Sequence, residues 1–114
     1  MKGKHVKNET EIKALKTVPR EKAFYFFTSI GNYTGESASS LKEFMEKIST
    51  VNVKSLEFHL YRGDFEKWVA EVLEDKELAE EICKIRQLNY SGNTLRENLY
   101  NIVAKRFKEL TGFS

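Results

Sequence analysis

The chain has 114 residues, of which 40% are hydrophobic and 32% charged, and its net charge is +2. This length suits one domain with one core and excludes two, and no apolar run reaches the ~18 residues that a membrane span requires, so we expect a protein without a membrane partner. The first residues, MKGKHVKNETEIKALK, have no apolar stretch behind their lysines and Cys83 is the lone cysteine, which together predict a cytoplasmic protein without disulfides.

Residues 1–22 are predicted to form a basic N-terminal arm. They carry seven Lys or Arg and three Glu, a net charge of +4, and few sizeable aliphatic residues. Such a segment is expected to be disordered or loosely docked, with Ile12, Leu15 and Val18 forming one docking turn before Pro19. The expected organisation is therefore the arm at 1–22 and a single helical domain at 23–114.

The run Ala23–Ile30, AFYFFTSI, is dense in aromatic residues and predicts one short buried strand or extended segment. One strand cannot form the hydrogen bonds that its backbone N–H and C=O groups require, so it needs a second segment to pair with. A hairpin through residues 31–37, the arm and a second copy of the protein all remain open. The following stretch GNYTGESASS is interpreted as a turn with a helix cap rather than an anion site, because it lacks the Lys and the spacing of a phosphate loop.

The rest of the chain has the apolar period of helices. Ser40 and Glu43 have the spacing of a capping box before Leu41, Phe44, Met45 and Ile48. Asp75 is a predicted N-cap for a helix with Leu78, Ile82 and Ile85 on its buried face. A second capping box, Thr94–Glu97, is predicted to open the longest helix, which Gly112 ends. The expected fold is mainly α, a compact bundle of about four to five helices with one short N-terminal strand or extended segment.

The stretch Ser55–Val72, SLEFHLYRGDFEKWVAEV, is interpreted chiefly as a corner between two helices. Gly63 would close the first helix in the left-handed conformation, and Asp64 would accept hydrogen bonds from the first N–H groups of the second. Phe65 and Trp68 would then belong to the core. Cys83, among apolar positions of the next helix, is likewise predicted to be buried.

The same stretch also permits a small-ligand site. His59, Arg62 and Asp64 could converge on a cleft as acid/base and anion-binding groups. One cysteine and two distant histidines, without an H-x-x-x-H or D-x-D pattern, predict no metal site and no cofactor. No Ser, Thr or Cys stands beside a base in a way that indicates a nucleophile, so we expect no enzyme.

Residues 24–82 resemble a family of small uncharacterised prokaryotic domains that is frequent in archaea. The specific part of the resemblance is the pattern Phe58-His59-x-x-Arg62-Gly63-Asp64-Phe65-x-x-Trp68, followed by an acidic helix rich in Leu and Ala. Similar members occur alone or attached to larger proteins, including sugar-transferring enzymes. The resemblance implies a portable module, which is more often a binding or regulatory unit than an enzyme, and it implies no activity. The Lys- and Glu-rich composition is consistent with a thermophilic archaeal source.

Charge alternates along the chain. Asp64–Glu81 has eight acidic residues and two lysines, net −6, and Lys84–Lys108 has six basic residues and one Glu, net +5. The basic arm and the basic last helix predict a non-catalytic protein that binds RNA, best of all the ribosome, where it could block or bridge subunits. The predicted contacts are Lys2, Lys4, Lys7, Lys13, Lys16, Arg20, Arg96, Lys105, Arg106 and Lys108.

Two further expectations accompany this hypothesis. His5, Tyr25 and Tyr33 could stack on bases if they are exposed. Self-association through the 24–30 strand or the last helix would make a homodimer. The alternatives are a regulatory protein-interaction module that uses the acidic 64–81 surface, the ligand site at His59, and a thermophile surface that binds nothing.

Overall fold

A computed structural model describes residues 13–112 as a two-stranded hairpin followed by five α-helices. The elements are β1 (Phe24–Ser29), β2 (Asn32–Ala38), α1 (Leu41–Ile48), α2 (Val53–Arg62), α3 (Asp64–Glu71), α4 (Lys76–Gln87) and α5 (Gly92–Thr111), with a short 3-10 turn at Arg20–Lys22 before β1. The expectation of a mainly α fold with an N-terminal extended segment is confirmed. None of these five helices is both long and apolar enough to cross a membrane.

The hairpin answers the question of what pairs with the aromatic run. β1 and β2 are antiparallel, with Phe24 opposite Ala38 and Phe27 opposite Tyr33. Of the three partners left open by the sequence, the structure has the hairpin through residues 31–37, although the stretch that forms β2 is also interpreted there as a turn with a helix cap. Gly35 has a φ of +88° where the register between the strands shifts, so the glycine that argued against a strand allows an irregularity within it.

The two faces of β1 have different roles. Phe24 and Phe26 point into the core, whereas Tyr25 and Phe27 lie on the other face and are at least partly exposed. Phe24 packs edge-on against Phe26 at 4.9 Å between ring centroids, and both contact Phe44 of α1. A hairpin with one buried and one solvated face satisfies its backbone while it presents aromatic side chains to solvent.

The helix termini are mostly set by local signals. The Ser40 hydroxyl accepts a hydrogen bond from Glu43 N at 3.2 Å, as predicted, although the Glu43 carboxylate accepts from Ser39 N rather than from Ser40 N. Gly63, with a φ of +79°, ends α2 as predicted, and Gly112, with a φ of +85°, ends α5. These predictions are confirmed because each cap depends on residues within one helical turn.

Two predicted helix starts are wrong. Asp64 does not cap α3; it is the first residue of that helix, and its side chain turns back toward α2. The longest helix begins at Gly92, before the predicted Thr94 box, and the Gly92 N–H donates to the Glu57 carboxylate of α2 at 2.8 Å. A carboxylate from another helix thus takes the place of a local cap.

The end of the predicted arm contacts the helical domain. Ala14 and Val18 are buried, and Val18 N donates to the Ser39 carbonyl at 2.8 Å. Residues 13–18 therefore pack on the domain, while Ile12 and the rest of the arm lie outside the described residues.

Candidate functional site

His59 of α2 stands between the hairpin and the corner that joins α2 to α3. Its side chain is nearly buried, with 5% of the residue exposed. Nε2 lies 2.8 Å from Phe27 N and Nδ1 lies 2.8 Å from Asp64 Oδ2. A backbone N–H can only donate, so Nε2 is the acceptor and Nδ1 carries the proton that is donated to Asp64. His59 is therefore neutral, with both ring nitrogens engaged.

Burial is the main cause of a lowered pKa at His59. Desolvation disfavours the imidazolium more than the neighbouring Asp64 favours it, and the charge of Arg62 lowers the pKa further. Protonation at Nε2 would also place two donors, Nε2–H and the Phe27 N–H, opposite each other and break the hydrogen bond between them. These contacts indicate that His59 fastens β1 to the helical corner.

The lowered pKa predicts that stability falls as the pH falls through the mildly acidic range. The unfolded chain takes up a proton near pH 6.5, before the folded protein does. The free energy of unfolding should be flat above that pH and decline below it by about 1.4 kcal/mol per pH unit until the folded His59 also titrates. Urea denaturation between about pH 7.5 and about pH 5.5, above the main range of carboxylate titration, measures this slope.

Two variants assign the slope to one histidine. His59→Gln should be less stable at neutral pH but should lose the slope, because glutamine does not titrate. His5→Gln should retain the wild-type slope. A wild-type slope in His59→Gln would contradict this account of the His59 contacts.

The three residues of the hypothetical ligand site do come together. Arg62 Nε lies 3.3 Å from Asp64 Oδ2, and the Arg62 guanidinium stands over the Phe58 ring, 4.9 Å from its centroid. His59, Arg62 and Asp64 border a cavity of about 300 Å³ between α2 and the hairpin, which we call the aromatic cavity. Its walls also include Phe27 and Phe58, and Ile30 lies at its rim. The hairpin residues of this cavity are distant in sequence from His59, Arg62 and Asp64, so local spacing does not reveal their contribution.

Tyr25 and Tyr33, the tyrosine pair, stand side by side on the solvated face of the hairpin. Tyr25 is 38% exposed and Tyr33 is 46% exposed, and their ring centroids are 5.9 Å apart. The Tyr25 hydroxyl donates to the Arg20 carbonyl at 2.6 Å, so the basic Arg20 is next to the pair. Phe27 joins the pair to the aromatic cavity, because its ring lies 5.3 Å from that of Tyr33.

The predicted RNA contacts on α5 are divided between structural and exposed positions. Arg106 is held by the buried Asp75, with Nε 2.8 Å from Oδ2 and the second terminal nitrogen 3.1 Å from Oδ1. Burial opposes the charge of Arg106, but the hydrogen bonds to Asp75 outweigh it and its pKa is raised. Arg96 donates to the Ile48 carbonyl at 2.9 Å. Lys105 and Lys108 are exposed, and neither has an ion pair among the described residues.

The predicted contacts in the arm are also divided. Lys13 and Lys16 lie 3.7 Å and 3.0 Å from the Glu74 carboxylate. Arg20 is exposed, and within residues 13–112 it forms no ion pair. The remaining predicted contacts, Lys2, Lys4 and Lys7, lie outside the described residues, as does His5.

Most of the acidic 64–81 segment is neutralised within the protein. Residues of this segment in ion pairs are Asp64, Glu66, Glu74, Asp75, Glu77 and Glu81. These pairs leave less free negative charge for a basic partner than the sequence alone indicates. Glu71 and Glu80 form no ion pair with any residue in the part of the chain that is described.

A groove of about 740 Å³ runs between α3 and α4. Ala70, Ala79 and Cys83 line it, with charges of both signs around them. The prediction that Cys83 is buried is wrong: the residue is partly exposed, because it borders this groove. No group of three His, Cys, Asp or Glu residues suited to a metal occurs between residues 13 and 112, and the absence of a metal or cofactor stays a prediction.

Comparison with known proteins identifies a family. Residues 19–114 match the model of a family described as a family of unknown function, DUF5752. Searches of curated proteins and of solved structures found no match. The match confirms the expectation of a small uncharacterised domain and covers the hairpin, all five helices and every residue of the aromatic cavity.

Proposed function

Because the chain belongs to the DUF5752 family, whose function is unknown, we propose its function from its own surface: it is a non-catalytic protein that binds single-stranded RNA. The tyrosine pair is the observation that carries the proposal. Two exposed aromatic rings on the solvated face of a hairpin, beside an exposed arginine, are the features with which many proteins hold unpaired bases.

Stacking supplies the proposed affinity without a strong sequence requirement. Each base that stacks on an aromatic side chain contributes about 1–3 kcal/mol, as judged by alanine substitution. Tyr25 and Tyr33 meet edge to face at 5.9 Å between centroids, and both remain exposed to solvent. Phe27 extends this aromatic surface toward α2.

Positive charge beside the tyrosine pair supports phosphate contacts. Arg20 and Lys22 of the 3-10 turn are exposed and have no ion pair among residues 13–112. The turn is held in place by two hydrogen bonds to its carbonyls, from Tyr25 to Arg20 and from Trp68 to Lys22. The lysines at positions 2, 4 and 7 precede this turn in sequence and would add to the same electrostatic attraction.

The contacts of His59 support a binding role rather than a catalytic one. A general base needs a free nitrogen within hydrogen-bond reach of its substrate, and both nitrogens of His59 are already bonded within the protein. The ribosome, the most abundant RNA assembly of the cytoplasm, is the partner we favour. Blocking or bridging of its subunits, with a homodimer as the bridging form, belongs to the same proposal.

The tyrosine pair is tested by the affinity for a labelled single-stranded RNA of about 12 nucleotides, measured by fluorescence anisotropy. Tyr33→Ala should weaken binding by about tenfold, because one stacking interaction is lost. Tyr33→Phe retains the ring and should bind like the wild type. No hydrogen bond of the Tyr33 hydroxyl occurs in the described part of the chain, so this pair of variants isolates stacking.

Salt dependence tests the charge argument with the same RNA. Binding should weaken steeply between about 50 mM and about 200 mM salt, and Arg20→Ala should reduce the slope of log K against log salt by about 0.7. Lys84→Ala, at an exposed lysine of α4 that pairs with Glu81, is the matched control and should leave the slope unchanged. Weak salt dependence together with wild-type affinity in Tyr33→Ala would overturn the proposal.

A further inference from the structure

We propose that the aromatic cavity is a subsite for one unstacked nucleobase and that it selects a base with an exocyclic amino group, cytosine in preference to uracil. The inference rests on the RNA-binding function proposed above and deepens it, because it assigns base choice to Arg62 and Asp64.

The size and position of the aromatic cavity, which is open to solvent, suit a single base. Its volume of about 300 Å³ lies at the lower end of small-molecule sites. Phe27 and Phe58 supply aromatic rings on its walls, and Ile30, with 83% of its surface exposed, supplies an aliphatic rim. Tyr25 also borders the cavity, so a nucleotide next to one that is stacked on the tyrosine pair could turn its base into it.

Asp64 offers one free acceptor at the edge of the cavity. Its Oδ2 accepts from His59 and lies near Arg62 Nε, whereas Oδ1 has no hydrogen-bond partner in the described part of the chain. The side chain is 29% exposed and borders the cavity. An ionised carboxylate can only accept, so this position attracts a donor group and repels a carbonyl.

Arg62 offers donors beside this acceptor. Its Nε is used toward Asp64, while its two terminal nitrogens form no hydrogen bond with any described residue. The side chain is half exposed, and the planar guanidinium lies over the Phe58 ring. A base in the aromatic cavity would thus meet an acceptor from Asp64 and donors from Arg62.

Cytosine matches this pattern, whereas uracil held in the same orientation does not. Cytosine carries an amino donor at position 4 next to acceptors at N3 and O2, so Asp64 can accept from the amino group while Arg62 donates to the ring acceptors. Uracil has nearly the same size and shape, but in the same orientation its O4 carbonyl would face the carboxylate and its N3–H would face the Arg62 donors. Selection therefore comes from an unfavourable contact with the wrong base as much as from a favourable contact with the right one.

The isosteric variant Asp64→Asn changes this polarity with little change in shape. Its amide oxygen can take the place of Oδ2 and keep the bond from His59 Nδ1, which puts the amide nitrogen, a donor, at the position of Oδ1. The acceptor that faces the base becomes a donor. The preference for cytosine should then disappear or reverse in favour of uracil.

The experiment compares oligocytidylate and oligouridylate of about 12 nucleotides at neutral pH and moderate salt. Wild-type protein should bind the cytidylate roughly five- to tenfold more tightly, and Asp64→Asn should bind the uridylate at least as well as the cytidylate. Arg62→Ala, at an exposed position, should lower the affinity for the cytidylate more than for the uridylate. Tyr33→Ala should weaken binding of both oligonucleotides by a similar factor.

The outcomes separate this inference from the function on which it rests. Equal binding of the two oligonucleotides by the wild type, with salt dependence and dependence on Tyr33 intact, would overturn the subsite and leave RNA binding standing. Failure of both oligonucleotides to bind would overturn the RNA-binding function and the subsite with it. The wild-type comparison decides the question even if Asp64→Asn does not fold.

Discussion

Arg106→Met should lower the free energy of unfolding by about 3–5 kcal/mol, which is the usual cost of removing one partner from a buried ion pair. Asp75 is 2% exposed, and its carboxylate accepts from the Arg106 guanidinium and from Leu78 N at the start of α4. Methionine fills similar space but leaves the carboxylate buried without its counter-charge. Urea denaturation at neutral pH measures the loss.

A second substitution separates the buried charge from packing. Asp75→Asn in the Arg106→Met background removes the orphaned charge and keeps a side chain that can cap α4, so it should recover much of the lost stability. The prediction that Arg106 contacts RNA implies a different result for Arg106→Met, namely unchanged stability and weaker RNA binding. If Arg106→Met unfolds at the wild-type urea concentration but binds RNA more weakly, the arginine contacts RNA and the ion pair contributes little to stability.

Trp68→Ala should also lower the free energy of unfolding by about 3–5 kcal/mol, the range for deleting a large aromatic side chain from a core. Trp68 is 7% exposed and packs against Phe24 and Phe44, with centroid distances of 5.7 Å and 5.4 Å. Its Nε1–H donates to the Lys22 carbonyl at 2.8 Å, which joins α3 to the turn before β1. The substitution removes both contributions, and thermal and urea unfolding each measure the sum.

Trp68→Phe is the matched control. It keeps an aromatic ring against Phe24 and Phe44 and removes the hydrogen bond to Lys22, so the expected loss is about 1–2 kcal/mol. A loss in Trp68→Phe as large as that in Trp68→Ala would show that the hydrogen bond, rather than packing, dominates. A loss below about 1 kcal/mol in Trp68→Ala would contradict the placement of Trp68 in the core.

The proposed RNA surface depends on these interior contacts. Trp68 holds the turn that carries Arg20 and Lys22, and His59 holds β1 at Phe27. The hairpin that carries the tyrosine pair, and the turn before it, are therefore joined to the helical domain by hydrogen bonds of two side chains. Such preorganisation lowers the entropy cost of binding, so Trp68→Phe should weaken RNA binding less than Tyr33→Ala does.

Local features of the protein were determined by the sequence itself. The apolar faces of the helices follow a period that only depends on neighbouring residues, and the caps at Ser40, Gly63 and Asp75 each act within one turn of their own helix. Phe65 and Trp68 were correctly assigned to the core for the same reason. The net charge of each segment could also be counted from the sequence, although the ion-pair partners of the charged residues could not be predicted.

The tertiary structure decided which distant groups meet. The sequence left the hairpin as one of three alternatives because the seven residues of β2 include Asn32 and Gly35 and bury only Ala38, so the strand depends on pairing with β1 rather than on its own pattern. His59 meets Phe27 at a separation of 32 residues, and Arg106 meets Asp75 at a separation of 31. No local spacing encodes such a meeting, because the hydrogen bonds form only after the helices and the hairpin have packed. The same packing set Arg106 inside the protein and left Tyr25, Tyr33 and Arg62 at its surface.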